Sequence, residues 1–475
     1  MFRLLRKCLT TTRRFCTDTS SFMVREPKIC TVVQSLNENP PTEDVVVRGW
    51  ISSIRKHKNV TFLHLQDGTT TDDLQIVALD DLPIPNLTYG SSVEAKGRLV
   101  RSPYDKQEVE LSVEEVKVLG SCDPEAYPFK SKKMHDIEYR RQFQHLRPRN
   151  KFDGTVLRLR HEASRDLRSY LTDEGFYEVH TPIMTTNDCE GAGYVFKAVA
   201  HENKEFFDKP SFLTVSAQFH LEALSHAIPK VFTFGPILRA DHSKTRHHLS
   251  EFYMLEIEMA FCDDLHEVTD LVDALLSETV DNLIDKHEKD LKYLWKHSEV
   301  EDLMKTVDAI AKESYQGMTY TEAVEILQKH RKQFDYVPKW GEDFGKEHER
   351  FLVSHCNQCP VFVEEYPIAL KPFYMKRNVD GKTVKNVDLL YPHVGEVCGG
   401  SVREDNIDNL KRNMEESGIK NIEAFEWYLD LRRFGSVPHC GLGIGFDRFL
   451  QALTGIKNIK DIVPFPRSYD NSITM

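Results

Sequence analysis

Between residues 45 and 119 apolar and polar positions alternate in the runs VVVRGWI, TFLHLQD, LQIVAL, SVEAKGRLV and VELSVEEVKVL, separated by turns such as DGTT and NLTYGSS. A period of two marks half-buried strands, and five of them at this spacing predict a small β-barrel over 25–120. A polar, proline-bearing stretch over 121–150 reads as a hinge. Beyond it the period lengthens. TVLRLRHEASRDLRSYLTDEG has helical spacing with Gly175 as its stop, and FYEVHTPIM follows as a strand. VFTFGPIL and EFYMLEIEMAF predict two strands around a loop, and 263–345 reads as a mostly helical insertion. VFVEEYPIAL and KNVDLLYPHVGEVCGG return to strands, and PHCGLGIGF leads into a helix near Asp447.

With 475 residues the chain is long enough for two or three domains, and it has no apolar run long enough to cross a membrane. A net charge of −12 argues against coating nucleic acid by charge alone, while leaving room for a local basic patch. The ten cysteines follow no repeating spacing, and Cys356 with Cys359 is the one close pair, so reduced thiols of an intracellular protein are expected. The first seventeen residues, MFRLLRKCLTTTRRFCT, hold Arg3, Arg6, Lys7, Arg13 and Arg14 and no acid. That composition predicts a mitochondrial transit peptide over 1–22, and hence a place in the mitochondrial matrix.

The basic patch exists. In RADHSKTRHHLSEF (239–252) six of fourteen residues are Arg, Lys or His. In the strand after it, period two puts Phe252, Met254, Glu256 and Glu258 on one face, with Tyr253, Leu255 and Ile257 on the other. An aromatic plane, carboxylates and loop cations are what a nucleoside triphosphate with magnesium needs; a solvated hairpin tip would show the same charges. GLGIGFDR (441–448) lacks the third glycine and the βαβ setting of a dinucleotide fingerprint. Its glycines would instead let a ligand lie against the backbone beside Arg448. DCEGAG (188–193) and GEVCGGSVRE (395–404) join carboxylates to glycines, suiting a small zwitterion and a metal, or plain turns.

Together these segments resemble the three signature motifs of class II aminoacyl-tRNA synthetases: GFYEVHTPIM motif 1 (175–184), the segment around the basic loop motif 2 (231–261), and GLGIGFDRFLQALTG motif 3 (438–455). VRGWISSIRKHKNVTFLHLQDG resembles the OB-fold anticodon domain of subclass IIb, the aspartyl, asparaginyl and lysyl enzymes. DCEGAG, LTVSAQFHLEAL, TYTEAVEILQ, GEVCGGSVRE and LDLRRFGSVPHCGLGIGFDR look like the asparaginyl-tRNA synthetase family, its mitochondrial members in particular. The resemblance implies an α+β protein, an N-terminal OB-fold barrel followed over 151–475 by a catalytic domain on an antiparallel sheet flanked by helices. It also implies a homodimer with motif 1 at the interface.

Roles follow by resemblance. Arg239 would clamp the α-phosphate of ATP and the amino acid carboxylate, and Asp241 stands where the family usually has Glu. His248 would bind the γ-phosphate, and Phe252 would stack under adenine. Arg448 would cover the other face of adenine or reach the γ-phosphate, and Asp388 and Glu396 would hold Mg2+. His247 occupies a position that is commonly Arg, which makes ATP affinity expected to vary with pH near neutrality. Glu190 and Gln218 would bind the α-amino group, Arg403 the side-chain amide oxygen and Glu222 the amide NH2. Leu221 stands where aspartyl enzymes carry a Lys for the substrate carboxylate, so asparagine is the expected amino acid and tRNA(Asn) the expected acceptor. In the barrel, Arg55, Phe62 and Gln75 match positions that contact anticodon bases, the competing reading for Phe62 being a place in the barrel core. Competing readings are a non-discriminating aspartyl enzyme, disfavoured by Leu221 and Glu222, a tRNA-independent amide-forming paralogue, disfavoured by the barrel, and an inactive RNA-binding relative, disfavoured by Arg239, Glu396 and Arg448.

Overall fold

The computed structural model describes residues 27–469 except 43, 80–81, 84–85, 104–106, 131–132, 134, 187–194, 202–205, 302, 313–314 and 420. The chain divides into two compact units between residues 131 and 132. In the first, β1 (Lys28–Cys30) and α1 (Val32–Leu36) precede β2 (Asp44–Lys56), β3 (Val60–Gln66), β4 (Leu74–Leu79), β5 (Ser92–Arg101) and β6 (Val109–Gly120). Strands pair in the order β2-β3-β4-β6-β5, and β5 returns to β2, which closes the predicted five-stranded barrel. Alternation decides the interior: Leu63, Leu65, Leu74, Ile76, Val93 and Ala95 are buried inside it. β1, absent from the sequence reading, adds to β2 in parallel.

The second unit begins with α2 (Ile137–Arg141) and α3 (Lys151–Asp173), so most of the stretch expected as a hinge is packed structure. Its arginines are the reason. Arg140 is buried against Asp153, and Arg141 donates to Asp461 at 2.7 and 3.0 Å, so polar residues that look like a linker are paired carboxylate partners. β7 (Tyr177–Glu178), β8 (Met184–Thr185), β9 (Lys197–Ala198), β10 (Ser211–Leu213) and α4 (Gln218–Ser225) lead to the hairpin β11 (Lys230–Leu238) and β12 (Glu251–Ala260). α5 (Leu265–Trp295), α6 (Leu303–Ala311), β13 (Gln316–Thr319), α7 (Tyr320–Lys329) and α8 (Lys346–His355) follow. β14 (Val361–Glu364), β15 (Asn386–Tyr391), β16 (Gly395–Val402), α9 (Ile407–Glu416), α10 (Glu426–Arg433), β17 (His439–Gly445) and α11 (Phe446–Thr454) complete the chain.

Eight strands form one sheet in the order β13-β14-β15-β16-β17-β12-β11-β7, antiparallel except at its two edges. α3 and α5 cover one face, burying Phe152, Val156, Leu159, Ala163 and Leu167 at helical spacing against Val272, Leu276 and the sheet. The insertion is thus not purely helical, because β13 extends the sheet and α5 is a core helix. Cys262 and Cys440 form a disulfide, Cα–Cα 5.6 Å, where the sequence reading expects reduced thiols. The register Ala260↔His439 between β12 and β17 brings them together across 178 residues of chain. Among the described residues no helix is long and apolar enough to cross a membrane.

Candidate active site

The sheet face opposite α3 and α5 is open, and a cavity of about 720 Å³ lies over it. Phe252, Met254, Glu256 and Glu258 of β12 all line it, so the predicted alternation held, and Leu255 turns into the core. Glu256 accepts the Ala217 backbone N–H at 2.9 and 3.0 Å and the Ser216 hydroxyl, fixing the first turn of α4 to the cavity floor.

At one end the walls are polar yet internally neutralised. Arg403 donates through Nε and Nη2 to Glu258 at 3.1 and 2.9 Å, and both are buried. Burial lowers the Arg403 guanidinium, but Glu258 outweighs burial and holds it above its usual range, so it stays charged. The pair passes over Gly441, where any Cβ would collide with both side chains. This glycine therefore makes room for an ion pair, whereas Gly443 beside Met254 lies on the cavity itself. Gln218 and Leu221 also line this end.

Glu222 requires a correction. It is fully buried behind the wall, not on it. Its carboxylate accepts from Gln218 Nε2 at 2.9 Å, Tyr428 Oη at 2.9 and 2.8 Å and Arg432 Nη2 at 2.8 Å, with His439 Nε2 at 3.1 Å. Burial pushes the Glu222 carboxyl up, but Arg432 and the bond from His439 outweigh it and hold the group well below the usual carboxylate range. In this arrangement Glu222 orients Gln218, which does face the cavity. Sequence spacing could not show this, since its partners lie on α10 and β17, more than 200 residues away. Glu190, the other expected contact of the α-amino group, lies outside the described residues.

The opposite end carries the cations. The Arg239 guanidinium sits 5.4 Å above the Phe252 ring and donates to the Val215 carbonyl at 3.3 and 3.4 Å. Phe252 rests on Leu249, Ile459 and Val463. Arg448 donates to the Glu396 carbonyl at 2.7 Å, and its guanidinium is 3.7 Å from the Glu396 carboxylate. Asp388 and Glu396 converge over Gly399, where a Cβ would lie 3.5 Å from one carboxylate oxygen and 3.6 Å from the other. Two hard oxygen donors facing one open space fit a magnesium ion that also binds phosphate. Lys371, missed in the sequence, holds Asp388 at 2.6 Å. Burial, with Glu396 adding to it against Lys371, pushes Asp388 up to about 6. Glu396 is pulled the other way: Arg448, Lys346 and Lys371 outweigh burial and lower it.

Both loop histidines have their proton affinity lowered by burial. Burial, then Arg350, push His247 down to about 4, and Arg350 Nη2 lies 2.8 Å from His247 Nε2. Burial likewise lowers His248, whose Nδ1 meets Ser243 Oγ at 3.0 Å and Thr245 Oγ1 at 2.5 Å. Burial and the guanidinium that α8 presents thus place the proton affinity of His247 below the near-neutral range expected of a solvated loop histidine. Asp241 lines the cavity as expected.

In the first unit Arg55, Phe62 and Gln75 share the outer face of the barrel. Arg55 pairs across to Phe62, and His64, two residues on, pairs with Gln75. Phe62 is half-buried and outside the barrel core, which removes the packing alternative. Its ring meets His57 edge-on at 5.6 Å, and Gln75 donates to Glu110 at 3.0 Å.

Residues 136–469 match the family model described as "tRNA synthetases class II (D, K and N)", and 45–119 match an OB-fold nucleic acid binding domain. A human asparaginyl-tRNA synthetase is 44% identical, over 97% of this chain and 98% of its own length. The chain belongs to the class II asparaginyl-tRNA synthetases. An asparagine--tRNA ligase of Solibacter usitatus is 42% identical, over 93% of this chain and 98% of its own. The solved asparaginyl-tRNA synthetase of Pyrococcus horikoshii, complexed with asparaginyl-adenylate, superposes with a TM-score of 0.81 at 30% identity, covering 90% of this chain and 96% of that one. The family places the α+β architecture, barrel plus antiparallel-sheet domain, on the same footing as the strands described above.

Proposed function

We propose that this asparagine--tRNA ligase condenses asparagine with ATP in the 720 Å³ cavity and passes the aminoacyl group to tRNA(Asn). In the first step an asparagine carboxylate oxygen attacks the α-phosphorus, forming the acyl–phosphate bond while the bond to the β-phosphate oxygen breaks and pyrophosphate leaves. In the second, a hydroxyl of the terminal tRNA ribose attacks the acyl carbon and AMP departs. No side-chain nucleophile is required; positioning and charge carry the rate. Arg239 stabilises charge at the α-phosphate, Phe252 supplies the plane for adenine, and Arg448 lies toward the outer phosphates. Asp388 and Glu396 would hold a magnesium ion, which would neutralise phosphate charge.

The observation that carries the choice of asparagine is the neutralised amino acid end. Arg403 is answered by Glu258 and Arg432 by Glu222, and Leu221 is apolar, so among the described residues a substrate carboxylate meets no unanswered cation there. A neutral amide can hydrogen-bond in such a setting without adding charge, while an aspartate carries an uncompensated carboxylate into it. ATP–pyrophosphate exchange with asparagine, aspartate and lysine side by side tests this; aspartate or lysine matching asparagine would refute it.

Two further readings belong here. The basic leader over 1–22, with no acid in its first seventeen residues, supports import into the mitochondrial matrix, and a reporter fused to it that stays cytosolic would refute that. Exposed Tyr177, Ile183 and Met184 in motif 1 support a homodimer, against which a monomeric sedimentation coefficient at micromolar concentration would count.

A further inference from the structure

The basic loop contributes less charge to the cavity than its composition suggests. His247 and His248 are partly buried rings whose proton affinity burial lowers, and neither Lys244 nor Arg246 lines the cavity. Arg350, 2.8 Å from His247 Nε2, is exposed and does not line the cavity. Yet Asp241, Asp343, Glu349, Asp388 and Glu396 all line the space that must take a triphosphate. Some other cation has to answer the outer phosphates.

α8 carries one. Lys346, its first residue, lines the cavity with its side chain 30% exposed. Its ammonium donates to the two carboxylate oxygens of Glu349 at 3.0 and 2.7 Å, which leaves a third N–H. Glu349 in turn accepts the Glu396 backbone N–H at 3.0 Å. The ammonium is thus tethered beside Gly395, 3.2 Å from where a Cβ would stand there, next to Glu396, to whose carbonyl Arg448 donates. We propose that Lys346 binds the β- and γ-phosphates of ATP, and pyrophosphate as it leaves, as the partner of Arg448 across Glu396. Glu349 pre-sets the ammonium, so little side-chain freedom is lost when phosphate arrives. The cation comes from the insertion, outside the three signature motifs.

The inference rests on the asparagine-activating reading, and the test separates the two. Asparagine-dependent exchange by the wild-type chain checks the reading; the variants check only Lys346. In Lys346→Met, the KM for ATP and for pyrophosphate should rise roughly ten- to a hundredfold, as for loss of one charge-assisted phosphate contact, with the KM for asparagine within about twofold. Inhibition by AMP, which lacks the β- and γ-phosphates, should not change, and Lys346→Arg should recover most of the affinity for ATP. A KM for ATP within about twofold of wild type overturns the proposal. So does a parallel weakening of AMP inhibition, which would mean that α8 merely shapes the nucleotide pocket. Lys346→Gln repeats the measurement with a different side-chain shape should Lys346→Met fail to fold.

Discussion

Glu222→Gln replaces one oxygen of a wholly buried carboxylate by an NH2 group, with almost no change of shape. In the native structure that carboxylate receives Gln218, Tyr428 and Arg432, and it faces His439. Both side chains of the Arg432–Glu222 pair are 0% exposed, so solvent cannot make up what the substitution removes. Arg432 keeps a charge with no counter-charge, and the new amide hydrogens point at groups that donate. Breaking a buried pair by removing one partner costs about 3–5 kcal/mol, which shifts the unfolding of the second unit by several degrees at least. The functional effect follows from the same groups. Gln218 loses its anchor at the cavity wall, and the unanswered Arg432 draws a substrate carboxylate toward it. The KM for asparagine should therefore rise about tenfold or more, and the asparagine-to-aspartate ratio of kcat/KM should fall by a similar factor, as for one misplaced buried hydrogen bond. The pH dependence provides a second check. Glu222 is depressed in the folded chain, so its stabilisation is present above the ordinary carboxylate range and lost as pH falls below it. The variant should lack that acid limb. Thermal unfolding followed by circular dichroism from pH 3 to 7, beside exchange assays with both amino acids, measures all of this. Unfolding within about 0.5 kcal/mol of wild type, together with an unchanged ratio, would refute the argument.

Other outcomes are fixed by single contacts. His247 is already neutral above about 4, so the KM for ATP of wild type and His247→Asn should follow parallel courses from pH 6 to 8; a wild-type inflection near 6.5 that the variant lacks would refute the neutral ring. Its depressed proton affinity also means that acidification from 6.5 toward 4 destabilises the fold, because the unfolded chain takes the proton first. Gly441→Ala drives a methyl into Glu258 and Arg403, costing about 1–3 kcal/mol of stability and raising the KM for asparagine more than that for ATP; equal rises in both would count against a local pocket effect. Phe62→Ala should raise the KM for tRNA(Asn) by about ten- to a hundredfold, worth the 1–3 kcal/mol of one stacked base, and leave ATP–pyrophosphate exchange alone. Loss of exchange as well would show that Phe62 supports the fold.

Much of the architecture was legible because it rests on period. The barrel strands, the β11–β12 hairpin and the α3 stripe each follow from spacing alone, and the alternation of Phe252 to Glu258 placed four side chains on the correct face. What stayed hidden depends on partners distant in sequence. Nothing local to Glu222 or Glu258 distinguishes a substrate contact from half of an ion pair; Arg432 and Arg403 decide it from α10 and the end of β16. Residues 137–150 look like a linker until Asp153 and Asp461 are seen to hold their arginines. His247 failed for a related reason: a histidine in a basic loop reads as solvated, whereas burial and Arg350 set its proton affinity. Lys346 carries no signal in its immediate neighbours, because helix α8 is placed at the cavity by partners distant in sequence, through the cluster that Leu352 and Val353 share with Tyr320 and Val324 and through the bond of Glu349 to the Glu396 backbone.

That packing limits where the chain can be cut or lengthened. α5 lies in the main core, β13 completes a sheet edge, and α8 reaches the nucleotide cavity, so the segment between the second and third signature motifs is anchored at several points along its length. Excising it would expose the back of the sheet and remove one wall of the cavity together. The exposed residues 331–333, between α7 and α8, are where an added domain or an epitope would sit with little disturbance, whereas Phe334 beside them already packs on α8.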